Sequence, residues 1–460
     1  MIEETSSAII EKKFLQLKSK FTTHHTFPID FRIKQLRILK KYIQEHETEI
    51  QQALWNDLKK SPEEAFLTEI GLLLKEIDFH IKNLKKWTRK QRVATPIYLW
   101  PSTSNVLYQP LGTALIIAPW NYPFQLTINP LIGAISAGCH AIVKPSPDAP
   151  HTAILVEQLI QTCFGEDYIT CVQGGKDTNT MLLQYPFDVI FFTGSPKVGK
   201  IIMQAAAKHL CPVVLELGGK SPCIIDKTAT LKTAAKRVIW GKCINAGQTC
   251  IAPDYLLVHQ DVQHDFIEEL KKAIKDIYGE NIAESLHYPR IISPRAFDRI
   301  TALIPPEKVI FGGFSDKSKL LIEPTILVNV SWEDEIMQEE IFGPIIPIIT
   351  FEKIEEAMTT INARPKPLAL YYFGDKIHAK KIKNHTQSGG MCINDTLLHV
   401  SNQHLPFGGV GTSGIGNYHG KNSFKAFSHA KAIINSHPKM DIPWKYPPYK
   451  YFQWIKKFLQ

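Results

Sequence analysis

The chain has 460 residues, 44% of them hydrophobic and 21% charged, with a formal net charge of +9. These proportions fit an ordinary globular protein of two or three domains; a lysine-rich solvated surface accounts for the charge, and with no zinc-finger or RNA-binding signature no nucleic-acid partner is expected. Eight cysteines scattered from Cys139 to Cys392 without metal-type paired spacing read as a reduced, cytoplasmic chain with no metal site.

Met1 to Phe14 carries Glu3, Glu4 and Glu11 and no long apolar run, so no secretory signal is expected. No stretch approaches the roughly 18 uncharged apolar residues of a spanning helix. Residues up to about Arg92 read as helical. Ser61-Pro62-Glu63-Glu64 has the form of a capping box with proline at the first helical position. After it Phe66, Ile70, Leu73, Ile77, Ile81, Leu84 and Trp87 recur at helical spacing as a core stripe. Thr95 to Pro110, with Pro96, Pro101, Ser102, Thr103 and Ser104, suggests a hairpin-like excursion.

From Leu111 short apolar strands alternate with helix patterns. The strand candidates are Ala114–Ala118, Ala141–Val143, Ile169–Val172, Val189–Phe192 and Val213–Glu216. Their spacing predicts an α/β fold with a parallel sheet and right-handed crossovers, in which ligands bind at the carboxyl ends of the strands. A second α/β stretch runs from about Leu217 to Ile393. A glycine-rich loop, Phe407 to Gly416, and an apolar segment, Ala430 to Asn435, follow before the composition changes at Asp441.

The strand ending at Phe192 leads into Thr193-Gly194-Ser195-Pro196-Lys197-Val198-Gly199. Ser195 can cap the next helix, Pro196 fits its first position, and the free N–H groups there suit a pyrophosphate. The glycine spacing is G-x-x-x-x-G, not the ordinary dinucleotide G-x-G-x-x-G, so a structural turn fits this segment equally well. Four other segments join it: Pro119-Trp120-Asn121-Tyr122-Pro123-Phe124, Glu216-Leu217-Gly218-Gly219-Lys220-Ser221-Pro222, Asn245-Ala246-Gly247-Gln248-Thr249-Cys250, and Glu339-Glu340-Ile341-Phe342-Gly343-Pro344. In this order they resemble the aldehyde dehydrogenase superfamily over nearly the whole chain. Leu405-Pro406-Phe407-Gly408-Gly409-Val410-Gly411, Tyr418-His419-Gly420-Lys421 and Tyr446-Pro447-Pro448 resemble its class 3 branch, which includes fatty- and aromatic-aldehyde enzymes.

The resemblance implies NAD(P)-dependent oxidation of apolar medium- or long-chain, or aromatic, aldehydes to carboxylic acids. In it Cys250 is the nucleophile, Asn121 and the Cys250 N–H stabilise the oxyanion, and Glu216 activates water to hydrolyse the thioester. Taken alone, Cys250 would be a packing residue, Asn121 a turn residue and Glu216 a partner for a lysine; Cys243 reads as structural, and His419 belongs to the C-terminal signature with no chemistry of its own. Glu340 resembles the residue that binds the nicotinamide ribose, Phe342 the one beside its ring, and Lys144, in Val143-Lys144-Pro145-Ser146, the lysine of the adenosine ribose. Many relatives carry a glutamate three residues after that lysine; here Pro147 stands there. Loss of that carboxylate removes repulsion of a 2′-phosphate, which Lys144 and Ser146 could hold, so NADP is expected to be accepted besides NAD; Asp148 is the alternative carboxylate.

The implied fold has three parts. A Rossmann-like cofactor domain takes residues 1–94 and 109–216 with 394–429, an α/β catalytic domain 217–393, and a small β oligomerisation arm 95–108 with 430–440, serving a homodimer. In the tail, 441–460, Tyr449, Phe452, Ile455 and Leu459 fall near one helical face with Lys450, Lys456 and Lys457 around it. A helix over the protein's own surface is the preferred reading, with peripheral contact on anionic lipid as the alternative. Three other functions remain open. A CoA-acylating or semialdehyde dehydrogenase of the same fold would not need Glu216, a non-catalytic binding or structural protein would not need the full residue set, and a cysteine hydrolase would need a Cys–His–Asn signature that is not seen.

Overall fold

Apolar runs of β-branched and aromatic residues between Thr113 and Leu217 are buried on both faces, as a parallel sheet covered by helices requires. In the computed structural model, which describes residues 2–441 and 445–459, all five strand candidates form strands, with ends within three residues of those expected. They make a six-stranded sheet in the order Gly414–Ile415, Val213–Leu217, Val189–Gly194, Thr113–Ile117, His140–Lys144, Ile169–Cys171. Only Gly414–Ile415 is antiparallel, with Gly414 opposite Glu216. The direction of winding reverses between Thr113–Ile117 and Val189–Gly194, a switch point of the kind that opens a ligand crevice. The segment bearing Asn121 and the turn at Ser195 leave the sheet there.

The second sheet has seven strands: Val309–Phe311, Thr325–Leu327, Ile345–Phe351, Tyr255–His259, Pro222–Ile225, Ala369–Phe373 and Gly390–Ile393. All its neighbours run parallel except the Val309–Phe311 edge. A third, three-stranded antiparallel sheet joins Gln91–Val93, Thr103–Pro110 and Ser428–Asn435, the last pairing from Ser428 opposite Pro110 to Asn435 opposite Thr103. Ile10, Phe14 and Leu17 of the Ser7–Phe21 helix pack with Leu115, Ile142 and Ile190 in a small core on one face of the first sheet. One larger core runs through the rest of the body.

Two local expectations need correction. Ser61 caps its helix, its Oγ accepting from Glu64 N–H at 3.2 Å with Pro62 in the first turn. The Glu64 carboxylate does not complete the box, however; it accepts from Asn245 N–H at 2.9 Å. The stripe also begins later than its spacing suggests. Phe66–Ile70 is a π turn, closed by Gly71 N–H on the Phe66 carbonyl. The wider turn rotates Phe66 out of the core, to 38% exposure, while Ile70, Leu73, Ile77, Leu84 and Trp87 stay buried.

The tail forms a helix, Phe452–Leu459. Tyr449, Phe452 and Trp454 are exposed, Trp454 at 83%, so these side chains do not pack over the protein's own surface. The side chains of Ile455 and Leu459 lie outside the described residues, as do Trp444 and Gln460. No helix of the described residues is long and apolar enough to cross a membrane.

Candidate active site

The loop that delivers Cys250 has an unusual backbone. Just past the Leu231–Cys243 helix, Asn245, Ala246 and Gly247 are all left-handed, with φ of 51°, 52° and 76°. Two non-glycine residues in that region cost about 1–3 kcal/mol each unless the surroundings hold them. Glu64 holds the Asn245 N–H. Asn245 Nδ2 donates to the carbonyls of Asn121 (2.7 Å) and Gln248 (3.1 Å). Gln248 Nε2 donates to the carbonyls of Asn245 and Arg290, both at 3.0 Å, and its Oε1 accepts from Ile292 N–H at 2.9 Å. Asn121 Nδ2 donates to the Gln248 carbonyl at 3.0 Å, which fixes its amide against the cysteine loop with one N–H left over among the described residues.

Cys250, Glu216, Thr193 and Tyr418 line one cavity of about 450 Å³. Most of the remaining wall is apolar: Leu67, Leu72, Leu126, Trp240, Ile244 and Ile277. Glu216 is 3% exposed, and neither carboxylate oxygen has a hydrogen-bond partner among the described residues. The lysine partner that a strand-end glutamate ordinarily finds is missing. Burial pushes its carboxyl well above the usual range. Burial also raises the Cys250 thiol, as do the nearby Glu340 and Glu216 carboxylates, while the N–H groups of Cys250 and Ile251 act the other way. Cys243 is fully buried, its thiol pushed up to about 12 by burial. His419 is buried and stacked on Phe407.

The other singled-out residues gather at the strand ends. Gly194 ends its strand, and Ser195 caps the Pro196–Ala207 helix, accepting from Val198 N–H at 3.4 Å. Gly199 lies in the first turn, where a β-carbon would meet Leu217 Cδ2 at 2.7 Å, so this helix end sits tight on the strand. Lys144 closes its strand at 2% exposure, and its ammonium makes no hydrogen bond or ion pair among the described residues; burial lowers it to about 8. Ser146 Oγ accepts from Asp148 N–H at 3.3 Å. The Glu340 carboxyl is raised to about 8 by burial, then by Asp254. It packs on Gly218, where any side chain would collide with it. Phe342, left-handed at φ 51°, stands edge-on to Trp120 with ring centres 5.4 Å apart. A buried ammonium without a partner, the N-terminus of the Pro196–Ala207 helix at a strand end and a glycine-lined carboxylate together fit a nicotinamide dinucleotide.

Several supporting residues carry no sequence signal. Lys60 and Glu69, both fully buried, pair at 2.5 Å. Glu69 Oε2 accepts from the N–H groups of Phe124 (2.9 Å) and Gln125 (3.1 Å), and the Lys60 ammonium sits 4.2 Å from the Tyr122 ring centre. The pair thus anchors both ends of the segment after Asn121. Lys220 bonds to Asp254 and to the carbonyls of Ile336 (2.9 Å) and Glu339 (2.8 Å), and Asp254 Oδ1 takes the Ile341 N–H at 2.9 Å, so the Glu340 loop is held on both flanks.

Comparison with known proteins agrees with this geometry. Residues 2–433 match the aldehyde dehydrogenase family. The chain is 48% identical over 456 residues to 4,4′-diaponeurosporen-aldehyde dehydrogenase of Staphylococcus aureus, covering 98% of this chain and 99% of that protein. It is 45% identical to the dimeric NADP-preferring aldehyde dehydrogenase of Canis lupus familiaris, covering 91% of this chain and 92% of that one. The solved substrate-bound Staphylococcus aureus AldH superposes with a TM-score of 0.96 at 48% identity, over 98% of this chain and 99% of that one. The chain belongs to the aldehyde dehydrogenase family, with class 3 enzymes among its similar relatives, and is an NAD(P)-dependent oxidoreductase of aldehydes.

Proposed function

We propose that the enzyme oxidises long, apolar aldehydes through a thioester on Cys250, and that it takes both NAD and NADP. The observation that carries this reading is the shared cavity, which puts a thiol and a carboxylate unpartnered among the described residues inside largely apolar walls. Glu216 or water takes the thiol proton, and the sulfur adds to the aldehyde carbon. Asn121 Nδ2 and the Cys250 N–H hold the resulting oxyanion. A bound nicotinamide supplies the hydride acceptor. After hydride leaves the carbon a thioester remains. Glu216 takes a proton from water, which adds to that carbon; the thiolate departs and the acid is released. Lys144 and Ser146 would hold the adenosine ribose, the helix end at Gly194, Ser195 and Gly199 the pyrophosphate, and Glu340 and Phe342 the nicotinamide side. Pro147 leaves its own loop without a carboxylate against a 2′-phosphate. Retention of Glu216 disfavours the acylating alternative, which needs no water. With a series of aldehydes of rising chain length, NADH and NADPH formation is expected to peak in kcat/KM with long chains; a preference for short polar aldehydes would overturn the substrate assignment.

We infer further that the three-stranded arm, whose Ser428–Asn435 strand lies at its edge with Ile434 exposed, joins two copies, and that the tail meets anionic lipid. Exposed Tyr449, Phe452 and Trp454 beside Lys450, Lys456 and Lys457 support the second point. A chain ended at Lys439 is expected to remain dimeric by light scattering and to lose flotation with anionic liposomes. Equal flotation of the two forms would remove the lipid role.

A further inference from the structure

Pro147 stands where many relatives place the carboxylate that dinucleotide folds set near the ribose 2′-hydroxyl, with Asp148 one residue further on. The structure brings the Glu4 carboxylate to the loop after the neighbouring strand. The N-terminal segment is clamped to the carboxyl end of the Ile169–Cys171 strand. Thr5 N–H donates to the Gln173 carbonyl at 3.1 Å, Thr5 Oγ to the same carbonyl at 2.7 Å, and Gln173 N–H returns to Thr5 Oγ at 3.1 Å. This seats Glu4 on the loop beside the Lys144 strand, its parallel neighbour. Glu4 Oε1 accepts from Gly175 N–H at 2.8 Å; Oε2 accepts from Thr178 N–H at 3.0 Å and from the Thr178 hydroxyl.

The carboxylate and Pro147 both lie beside Gly175. A β-carbon built on Gly175 would lie 3.0 Å from Glu4 Oε1 and 3.9 Å from Pro147 Cγ. Among charged groups Glu4 acts most strongly on the Lys144 ammonium, ahead of Asp148. The Thr178 hydroxyl bond keeps the Glu4 carboxyl below its ordinary range, so it is ionised at neutral pH. Among the described residues Oε1 has a single partner, which leaves it a lone pair for a further donor.

We infer that Glu4 is the carboxylate that accepts from the adenosine ribose and sets the preference for NAD over NADP, supplied by the N-terminal segment in the place that Pro147 leaves empty. This rests on the reading that Lys144 marks the adenosine ribose. A ribose hydroxyl can donate to Oε1, whereas a 2′-phosphate there meets a fixed negative charge. Both coenzymes are used, and Glu4 decides the ratio.

The test compares wild type, Glu4→Gln and Asp148→Asn. The dissociation constants of NAD and NADP are measured by quenching of tryptophan fluorescence, and kcat/KM is measured with each coenzyme. Glu4→Gln is expected to shift the NAD-to-NADP ratio about tenfold toward NADP in both measurements, and Asp148→Asn to leave it in place. An unchanged ratio in Glu4→Gln, equal weakening of both coenzymes, or a shift confined to Asp148→Asn would overturn the inference; equal weakening would make Glu4 a clamp for the segment only. If wild type bound neither coenzyme, the oxidoreductase reading itself would fall, an outcome distinct from an unchanged ratio.

Discussion

Cys250→Ser is expected to lower kcat for aldehyde oxidation by about 10⁴-fold or more while coenzyme still binds. The argument is chemical as well as positional. The Asn245-Ala246-Gly247 turn and the bonds of Gln248 hold residue 250 in place from the backbone, so a serine would stand where the thiol stands. A hydroxyl in that cavity has neither the acidity nor the polarisability of sulfur. The wild-type thiol is itself raised by burial and by Glu340 and Glu216, so it rests protonated at neutral pH and the attacking thiolate is a minor form. Below the raised pKa its fraction climbs about tenfold per pH unit. The rate of acylation is therefore expected to rise with pH across the neutral range. Retention of more than about a tenth of wild-type kcat in Cys250→Ser would end the thioester mechanism.

The second large effect separates the two halves of the reaction. Glu216→Gln is expected to release one equivalent of reduced coenzyme per active site in a burst and then turn over about 10²–10⁴-fold more slowly than wild type. Acyl transfer to Cys250 does not need the Glu216 carboxylate if water removes the thiol proton, whereas hydrolysis needs a base aimed at water. Mass spectrometry of the stalled enzyme should find the acyl group on the Cys250 peptide. Because burial raises the Glu216 carboxyl well above its ordinary range, wild-type deacylation is expected to speed up as pH rises and the base form gains population. In folding the sign is opposite. The native state holds a proton that the unfolded chain has released above a pH of about 4.5, so this carboxyl lowers stability as pH rises from there through its native pKa. A neutral glutamine escapes that loss, and the variant is expected to be folded at neutral pH. A steady-state rate near that of wild type, or a stalled enzyme without acyl-Cys250, would remove Glu216 from the mechanism.

How much of this was readable in advance follows from the range of each interaction. The strands from Thr113 to Leu217 and the Ser195 cap with Pro196 are local patterns, and they stand where periodicity and capping chemistry put them. The motif segments that carry Asn121, Glu216, Cys250 and Glu340 are also contiguous, so resemblance could find them. What escaped depends on pairs far apart in the chain. Glu64 looked like half of a local capping box because nothing in its neighbourhood announces Asn245. Lys60 and Glu69 gave no signal at all, since a buried ion pair has no hydrophobic period. Phe66 fitted the stripe arithmetically, and a single π turn moved it outward. Glu4, taken only as evidence against a signal peptide, meets Gly175 and Thr178 through a contact no window of sequence spans.

The pairing of Gly414 with Glu216 bears on how the enzyme is made. The strand that flanks Glu216 is synthesised only after the whole second sheet, Pro222 to Ile393. A nascent chain can build its parallel core and even present Cys250, yet the edge beside Glu216 stays bare until the last tenth of translation. Contacts of such long sequence separation form late and slowly. The Cys250 thiol, partly buried in the finished enzyme, lacks the cavity walls that Phe407 and Tyr418 supply until then, and chaperone protection of the unfinished chain matters most in that interval.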